Sequence, residues 1–285
     1  MNIAVTFLPR QEPAPLPPIA FIGGGNMASA VIGGLIRQDT PAATFEVVEP
    51  FAEARERLAR DFGILAQAEA GPALARCEVV VWAVKPQSFA EAAKPVRGLA
   101  PDALHLSVAA GIPSDSIARW LGTERVVRAM PNTPALVGQG MTGLFARDAV
   151  DATGRKRVEQ VLAATGELLW VDAEAALDAV TAVSGSGPAY VFYFIEAMTE
   201  AGIELGLTPE QAHQLAVGTF SGATALAASA SEPPSVLRER VTSKGGTTYA
   251  AITSMQKADV AAKFKAAIRA AHLRAGELGA EFGKG

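Results

Sequence analysis

The fold of this chain is decided by the stretch Ile19-Ala20-Phe21-Ile22-Gly23-Gly24-Gly25-Asn26-Met27-Ala28. Its four apolar residues predict a short strand, and the pattern G-x-G-x-x-A follows directly and opens a helix over residues 26–37. In dinucleotide-binding folds the first glycine permits the tight turn, the second lets the backbone approach a pyrophosphate, and the last small residue lets the helix pack on the strand. Three adjacent glycines also occur in ordinary loops, but the flanking strand and helix favour a dinucleotide-binding turn. We therefore predict cofactor contacts at Gly23, Gly24, Gly25, Asn26, Met27 and Ala28.

Short apolar segments alternate with helical segments as far as residue 171. Residues 79–84 form an apolar run without alternation, which is typical of a parallel strand covered on both faces. Residues 54–60 predict a charged helix. This alternation indicates an α/β fold with a doubly wound parallel sheet of the Rossmann type. The predicted strands are residues 19–22, 45–48, 79–84, 104–109, 126–130 and 168–171.

The chain becomes helical after Asp172. Thr208-Pro209-Glu210-Gln211 predicts a helix start, because it combines a capping box with proline at the first helical position. The predicted helices are residues 189–205, 208–230, 235–241, 248–256 and 259–278. The predicted organisation is an extended leader at 1–17, a dinucleotide-binding domain at 18–172 and an all-helical domain at 173–285. Alternatively, residues 1–17 are an artefact of the choice of translation start.

Composition excludes several classes of function. The chain has 285 residues, 49% of them apolar, and a net charge of −4, so it has no positive field of the kind that binds nucleic acid. No run of lysine and arginine resembles a membrane-binding patch, and no apolar stretch reaches the roughly 20 residues that span a bilayer. The single cysteine, Cys77, excludes an intramolecular disulfide and a multi-cysteine metal site. We expect a cytoplasmic protein without a metal site, with part of its apolar surface buried in an oligomer.

The end of the second strand bears on the choice of cofactor. Glu49 follows residues 45–48, where a carboxylate can accept a hydrogen bond from a ribose 2′-OH and repel the 2′-phosphate of NADP. This position favours NADH over NADPH. Two alternatives stay open: Glu49 is an ordinary surface carboxylate at a strand end, or Arg55 or Arg57 turns back to bind a phosphate.

Four further segments carry groups suited to a ligand. Residues 83–86 and 108–111 stand at the ends of predicted strands, and ligands of open α/β sheets bind outside the carboxyl ends of the strands. Lys85 is a candidate catalytic acid there, with a solvated lysine as the alternative. Small residues precede helices at 184–188 and 243–248, which suits the binding of an anion. For residues 184–188, tight packing between domains is an equal alternative.

Six motifs of this chain resemble those of pyrroline-5-carboxylate reductases. They are FIGGGNMA, WAVKPQ, VAAG, RAMPNTPA, SGSGPAYVF and VTSKGGTT, all in the order of that family. The resemblance runs from about residue 19 to the end of the chain. It implies a Rossmann domain followed by a helical domain that forms an intertwined homodimer, often assembled further into a decamer. It also implies the reaction, in which a hydride from NADH or NADPH reduces the C=N bond of 1-pyrroline-5-carboxylate, a small cyclic imine, to L-proline in the last step of proline biosynthesis.

The resemblance also implies roles for individual residues. Thr248 is placed near the imine nitrogen, and we take it as the candidate that relays the proton. Arg240 stands where some members present an asparagine to the cofactor. The implied substrate contacts are Glu174, Ser184, Gly185, Ser186, Gly187, Gly246, Thr247 and Thr248. The implied cofactor contacts are Ala83, Val84, Lys85, Pro86, Ala109, Ala110, Gly111 and Arg240.

The chain departs from the family pattern at two positions. Glu49 stands where NADPH-using members often have serine or an Asn–Arg pair, which again favours NADH. Lys244 replaces a proline that is common in the family and adds a charge near the implied substrate site. Two other functions stay open: a reductase of another imine or of a 3-hydroxyacid, and a non-catalytic protein that senses a dinucleotide and dimerises. The intact segment 245–248 counts against the second of these.

Overall fold

The computed structural model describes residues 16–283, which divide into two compact units. The first unit comprises residues 16–174 and 282–283, and the second runs from Ala175 to Glu281. The leader predicted at residues 1–17 therefore lies outside the described residues, apart from residues 16 and 17. The division after Glu174 falls close to the boundary that the sequence predicts after Asp172.

The first unit is built on a single sheet, which has seven strands over the residues that the structure describes. They are β1 Ile19–Ile22, β2 Phe45–Val48, β3 Val79–Trp82, β4 Leu104–Ser107, β5 Val126–Met130, β6 Gly140–Ala146 and β7 Gly166–Trp170. Their order is β2-β1-β3-β4-β5-β6-β7, and β1 pairs in parallel with both β2 and β3. The direction of strand addition reverses at β1. In doubly wound sheets the ligand crevice opens at such a reversal, beyond the carboxyl ends of the strands.

Helices cover both faces of this sheet. They are α1 Asn26–Ile36, α2 Ala52–Phe62, α3 Phe89–Val96, α4 Ser114–Leu121 and α5 Ala152–Leu162. Alternate residues of β1 enter two separate cores: Ile19 and Phe21 pack with α1, α2 and α5, whereas Ala20 and Ile22 pack with α3 and α4. All residues of β1 and β3 are buried, as expected of parallel strands between two helical layers.

The predicted doubly wound sheet is confirmed, with one strand that the sequence analysis does not predict. Strand β6 pairs antiparallel with β5 and parallel with β7. Its sequence, GMTGLFA, contains two glycines and no regular alternation, so it carries no clear strand signal. The strands predicted at 79–84 and 104–109 end earlier, at Trp82 and Ser107, because the chain leaves the sheet there to form loops beyond the strand ends.

The second unit is helical throughout the residues described. Its helices are α6 Ala176–Val180, α7 Gly187–Glu204, α8 Pro209–Ser229, α9 Pro234–Arg240, α10 Thr247–Lys257 and α11 Val260–Phe282. The predicted capping box at the start of α8 is confirmed. The Gln211 amide donates to Thr208 Oγ1 at 3.3 Å, and the Thr208 amide donates to Gln211 Oε1 at 3.0 Å. No helix between residues 16 and 283 is both long enough and apolar enough to cross a membrane.

Candidate active site

The glycine turn between β1 and α1 has a backbone that requires glycine at its first position. Gly23 has a φ of +96°, a backbone angle that residues with a side chain rarely adopt. A Cβ there would lie 2.7 Å from the carbonyl oxygen of Ala83. The Gly23 amide donates to Val48 O at 2.8 Å, which ties the turn to β2 as well as to β3. The turn is therefore held at the reversal point of the sheet.

The third glycine of the turn faces open space at the start of α1. Gly25 is the N-cap residue of α1, and no side chain of the described part caps the helix or places an acid in its first turn. Apart from chain neighbours, no described atom lies within 4 Å of the position that a Cβ would take at Gly25. The amides and the positive end of the helix dipole are thus available to an anion. This arrangement fits a pyrophosphate.

Glu49 holds the glycine turn from the end of β2. Its side chain is buried, with 5% of the residue exposed. The Gly24 amide donates to Glu49 Oε2 at 2.7 Å, and the Phe51 amide donates to Oε1 at 2.9 Å. The alternative interpretation of Glu49 as an ordinary surface carboxylate is therefore wrong, because the fold directs the carboxylate inward onto the turn.

The two arginines that follow β2 also contact backbone carbonyls near the turn. Arg55 Nη1 donates to Glu49 O at 2.9 Å and to Pro50 O at 2.7 Å. Arg57 Nη2 lies 3.5 Å from Gly24 O. Arg55 thus contacts the β2–α2 connection, and Arg57 lies near the glycine turn.

The segments after β3 and β4 lie at the same edge of the sheet as the glycine turn. The Ala83 amide donates to Ile22 O at 2.8 Å, and the Val108 amide donates to Trp82 O at 3.0 Å, so each segment continues from its strand beside the neighbouring strand. The Ala109 amide donates to Ser107 Oγ at 3.3 Å. Lys85 is exposed where the chain turns into a short 3-10 helix, Pro86–Ser88. The structure thus brings the predicted cofactor residues of the first unit to one edge of the sheet: Gly23, Gly24, Gly25, Asn26, Met27, Ala28, Glu49, Ala83, Val84, Lys85, Pro86, Ala109, Ala110 and Gly111.

Glu174 makes contacts that the sequence does not indicate. Its Oε1 accepts hydrogen bonds from the Ser114 amide and from Arg128 Nη1, both at 2.6 Å, and its Oε2 accepts one from Ser114 Oγ at 2.7 Å. Together with Arg147 it lines an open cleft of about 450 Å³ in the first unit. No local pattern marks Ser114 or Arg128 as its partners, because they lie far away in sequence. Its implied contact with substrate stays a prediction.

The predicted substrate residues at 184–187 form an unusual helical turn in the second unit. Thr181–Gly185 is π-helical and leads into α7. The Ser186 amide donates to Thr181 O at 2.8 Å, five residues back instead of four. Turns of this kind are rare and often occur at functional sites.

The other predicted substrate residues stand at the start of α10. Gly246 is the N-cap residue, followed by Thr247 and by Thr248, which is half-buried. Among the residues described, no side chain caps this helix, so its first amides are available to an anion. Lys244 is exposed just before the turn, and Arg240 is exposed and ion-paired with Glu232.

Both units are similar to parts of known proteins. Residues 174–278 match the family model described as pyrroline-5-carboxylate reductase dimerisation, and residues 18–111 match the model described as NADP oxidoreductase, coenzyme F420-dependent. The pyrroline-5-carboxylate reductase of Pseudomonas aeruginosa is 47% identical over 270 residues, which cover 94% of this chain and 99% of that protein. The chain belongs to the pyrroline-5-carboxylate reductase family.

Other members of the reductase family agree with this assignment. The pyrroline-5-carboxylate reductase of Haemophilus influenzae is 42% identical, with 82% of this chain and 87% of that protein covered. Among solved structures, the pyrroline-5-carboxylate reductase of Coxiella burnetii superposes with a TM-score of 0.85 at 36% identity, over 92% of this chain and 98% of that one. The Plasmodium falciparum pyrroline carboxylate reductase, solved with NADP bound, has a TM-score of 0.83 at 26% identity, with the same shares covered.

Proposed function

We propose that this chain reduces 1-pyrroline-5-carboxylate to L-proline, the final step of proline biosynthesis. The reaction consumes NADH or NADPH and one proton, and it yields proline and the oxidised nucleotide. The observation that carries the proposal is membership of the reductase family over nearly the whole chain. The uncapped start of α1 at Gly25, where backbone amides are available to a pyrophosphate, supports it. A nicotinamide cofactor agrees with the NADP bound to the Plasmodium falciparum relative.

The direct test is the oxidation of NADH and of NADPH by the purified protein with 1-pyrroline-5-carboxylate. We expect turnover with the imine and none with 3-hydroxyacids and the oxidised nucleotides. Dinucleotide binding without turnover would contradict the proposal in favour of a sensing protein. Turnover of a 3-hydroxyacid alone would contradict it in favour of another reductase.

The chemistry asks the protein mainly to position a planar imine. When bound, the reduced nicotinamide supplies the hydride. We propose that the amides at the start of α10 bind the substrate carboxylate, since a helix N-terminus favours an anion there. Fixing the orientation of the imine in this way can account for several kcal/mol of the barrier. Residues 184–187 are proposed to line the same pocket.

Thr248 is our candidate to relay the proton to the imine nitrogen, directly or through a water. We expect Thr248→Ala to lower kcat about tenfold, because a water can take over only part of the relay. Steady-state kinetics at saturating cofactor measure this effect. Thr253→Ala, which removes another hydroxyl of α10, is the matched control and should leave kcat unchanged. An unchanged kcat and KM in Thr248→Ala would rule out the relay.

We further propose that Glu49 makes NADH the preferred cofactor. The carboxylate lies buried at the end of β2 and accepts a hydrogen bond from the Gly24 amide. Its negative charge therefore lies beside the glycine turn. A 2′-phosphate bound at that strand end would be repelled, whereas a ribose 2′-OH can donate to a carboxylate. Arg55 and Arg57 already contact backbone carbonyls, which leaves fewer of their N–H groups for a phosphate.

The ratio of the two cofactors' kcat/KM values tests this preference. We expect Glu49→Gln to shift the ratio about tenfold toward NADPH, because it removes a negative charge worth on the order of one kcal/mol or more near a phosphate. Glu53→Gln, an exposed carboxylate in the first turn of α2, should leave the ratio unchanged. An equal loss for both cofactors would show that Glu49 only holds the turn.

We also infer that the second unit forms a homodimer. Few of its described residues are buried, and many of its large apolar side chains are exposed. This agrees with the match of residues 174–278 to the family model of pyrroline-5-carboxylate reductase dimerisation. Exposed apolar area of this kind marks an association surface. Residues more than half exposed include Phe192, Tyr193, Leu215, Leu226 and Leu273. Light scattering should give at least twice the chain mass of 29.5 kDa, and the value separates a dimer from a decamer. A cytoplasmic location is part of the same proposal.

A further inference from the structure

The π-helical turn before α7 leaves one carbonyl with a different partner from the one that an α-helix would provide. In an α-helix the Ser186 amide would donate to Ala182 O, four residues back. Here it donates to Thr181 O at 2.8 Å. The hydroxyl of Tyr190 donates instead to Ala182 O at 2.9 Å, and Ala182 is buried. A side chain from the first turn of α7 thus occupies the position that the π turn leaves open.

The ring of Tyr190 is itself held in place by aromatic packing. It meets Phe264 of α11 edge to face, with ring centroids 5.6 Å apart and an interplanar angle of 89°. Phe264 in turn contacts Phe194 of α7, with centroids 5.7 Å apart. Such edge-to-face contacts are favourable and directional. The hydroxyl is therefore presented to Ala182 from a ring that is fixed on the rest of the second unit.

We propose that Tyr190 is a positioning residue for the substrate. Its hydroxyl bond stabilises the π-helical conformation of Thr181–Gly185, and that conformation sets the direction of the amides and hydroxyls at residues 184–187. This inference rests on the proposed function, in which residues 184–187 line the pocket of 1-pyrroline-5-carboxylate. Tyr190 acts through the backbone turn and has no contact with the reacting atoms in this proposal.

The test is Tyr190→Phe, which keeps the packed ring and removes only the hydroxyl. We expect kcat/KM for 1-pyrroline-5-carboxylate to fall about fivefold, because a lost hydrogen bond of ordinary strength lets the turn sample other conformations. The KM of the nucleotide should stay unchanged. Thr199→Val is the matched control, since its hydroxyl also donates to a backbone carbonyl of α7, that of Ile195, and it should leave every parameter unchanged. If Tyr190 had a purely structural role, Tyr190→Phe would lower thermal stability but would not affect the imine and the nucleotide differently.

Amide hydrogen exchange tests the turn without relying on activity. We expect the Ser186 amide to exchange about fivefold faster in Tyr190→Phe than in the wild type, and at the wild-type rate in Thr199→Val. Unchanged exchange at Ser186 in Tyr190→Phe would overturn the inference, whatever the activity. Faster exchange with unchanged kcat/KM would also overturn it, because the turn would then have no bearing on substrate. A wild-type protein inactive on the imine would instead refute the proposed function.

Discussion

Gly25→Ala should weaken dinucleotide binding about 100-fold while the protein stays folded. No described atom other than chain neighbours lies within 4 Å of the new Cβ, and the φ of Gly25 is −73°, so alanine fits the protein itself. The methyl group instead occupies the space where the backbone would approach the pyrophosphate. Losing charge-assisted hydrogen bonds of about 1.5–3 kcal/mol corresponds to roughly 100-fold in affinity.

Titration of NADH fluorescence measures the dissociation constant, and urea unfolding measures the stability. We expect the free energy of unfolding to fall by no more than about 1 kcal/mol, the cost of alanine in place of glycine at an N-cap. Gly71→Ala is the matched control, because it also stands at an N-cap with ordinary φ and open space around its Cβ. A normal affinity in Gly25→Ala would show that the turn does not receive the pyrophosphate. Gly23→Ala is unsuitable, because its Cβ would collide with Ala83 O.

Acidification should destabilise the first unit through His105. This imidazole is buried in β4, and Trp82 Nε1 donates to His105 Nδ1 at 3.0 Å. The pKa of His105 is lowered from its usual 6.5 to about 4, mainly by burial; a hydrogen bond with the backbone of Ala100 raises it in part, and the positive charge of Arg125 lowers it. The unfolded chain therefore takes up a proton at higher pH than the folded protein does.

The sign and size of the effect follow from this difference. Above pH 6.5 the His105 imidazole is neutral in both states and contributes no pH dependence. As pH falls from about 6.5 to about 4, only the unfolded state gains the proton, so the free energy of unfolding falls by about 1.4 kcal/mol per pH unit, or about 3 kcal/mol in total. Below pH 4 the folded protein also binds the proton and the loss stops.

Urea unfolding followed by tryptophan fluorescence reports on this unit, because Trp82, Trp120 and Trp170 all lie in it. His105→Gln keeps an acceptor for Trp82 and removes the titrating group. We expect the variant to lose the extra slope between pH 6.5 and 4, although its stability at neutral pH is lower. His213→Gln, at an exposed position of α8, should keep the wild-type slope. The same slope in His105→Gln as in the wild type would contradict this account.

Much of the fold and of the candidate site could be predicted from sequence because their signals are local. The glycine turn needs only the strand before it and the helix after it, and the capping box at Thr208 needs only four consecutive residues. Contacts between distant residues leave no such signal. The partners of Glu174, namely Ser114 and Arg128, and the burial of His105 against Trp82 depend on which strands become neighbours.

The amino-acid sequence alone predicts the glycine turn between β1 and α1, the parallel strands around it, the helical second unit and the family. Short-range patterns suffice for these, since backbone geometry and burial periodicity repeat within a few residues. Tertiary packing decides that β6 runs antiparallel to β5, that the Glu49 carboxylate turns inward onto Gly24, and that Tyr190 reaches the carbonyl of Ala182. Each of these depends on side-chain directions that arise when separate segments pack, which no local pattern specifies.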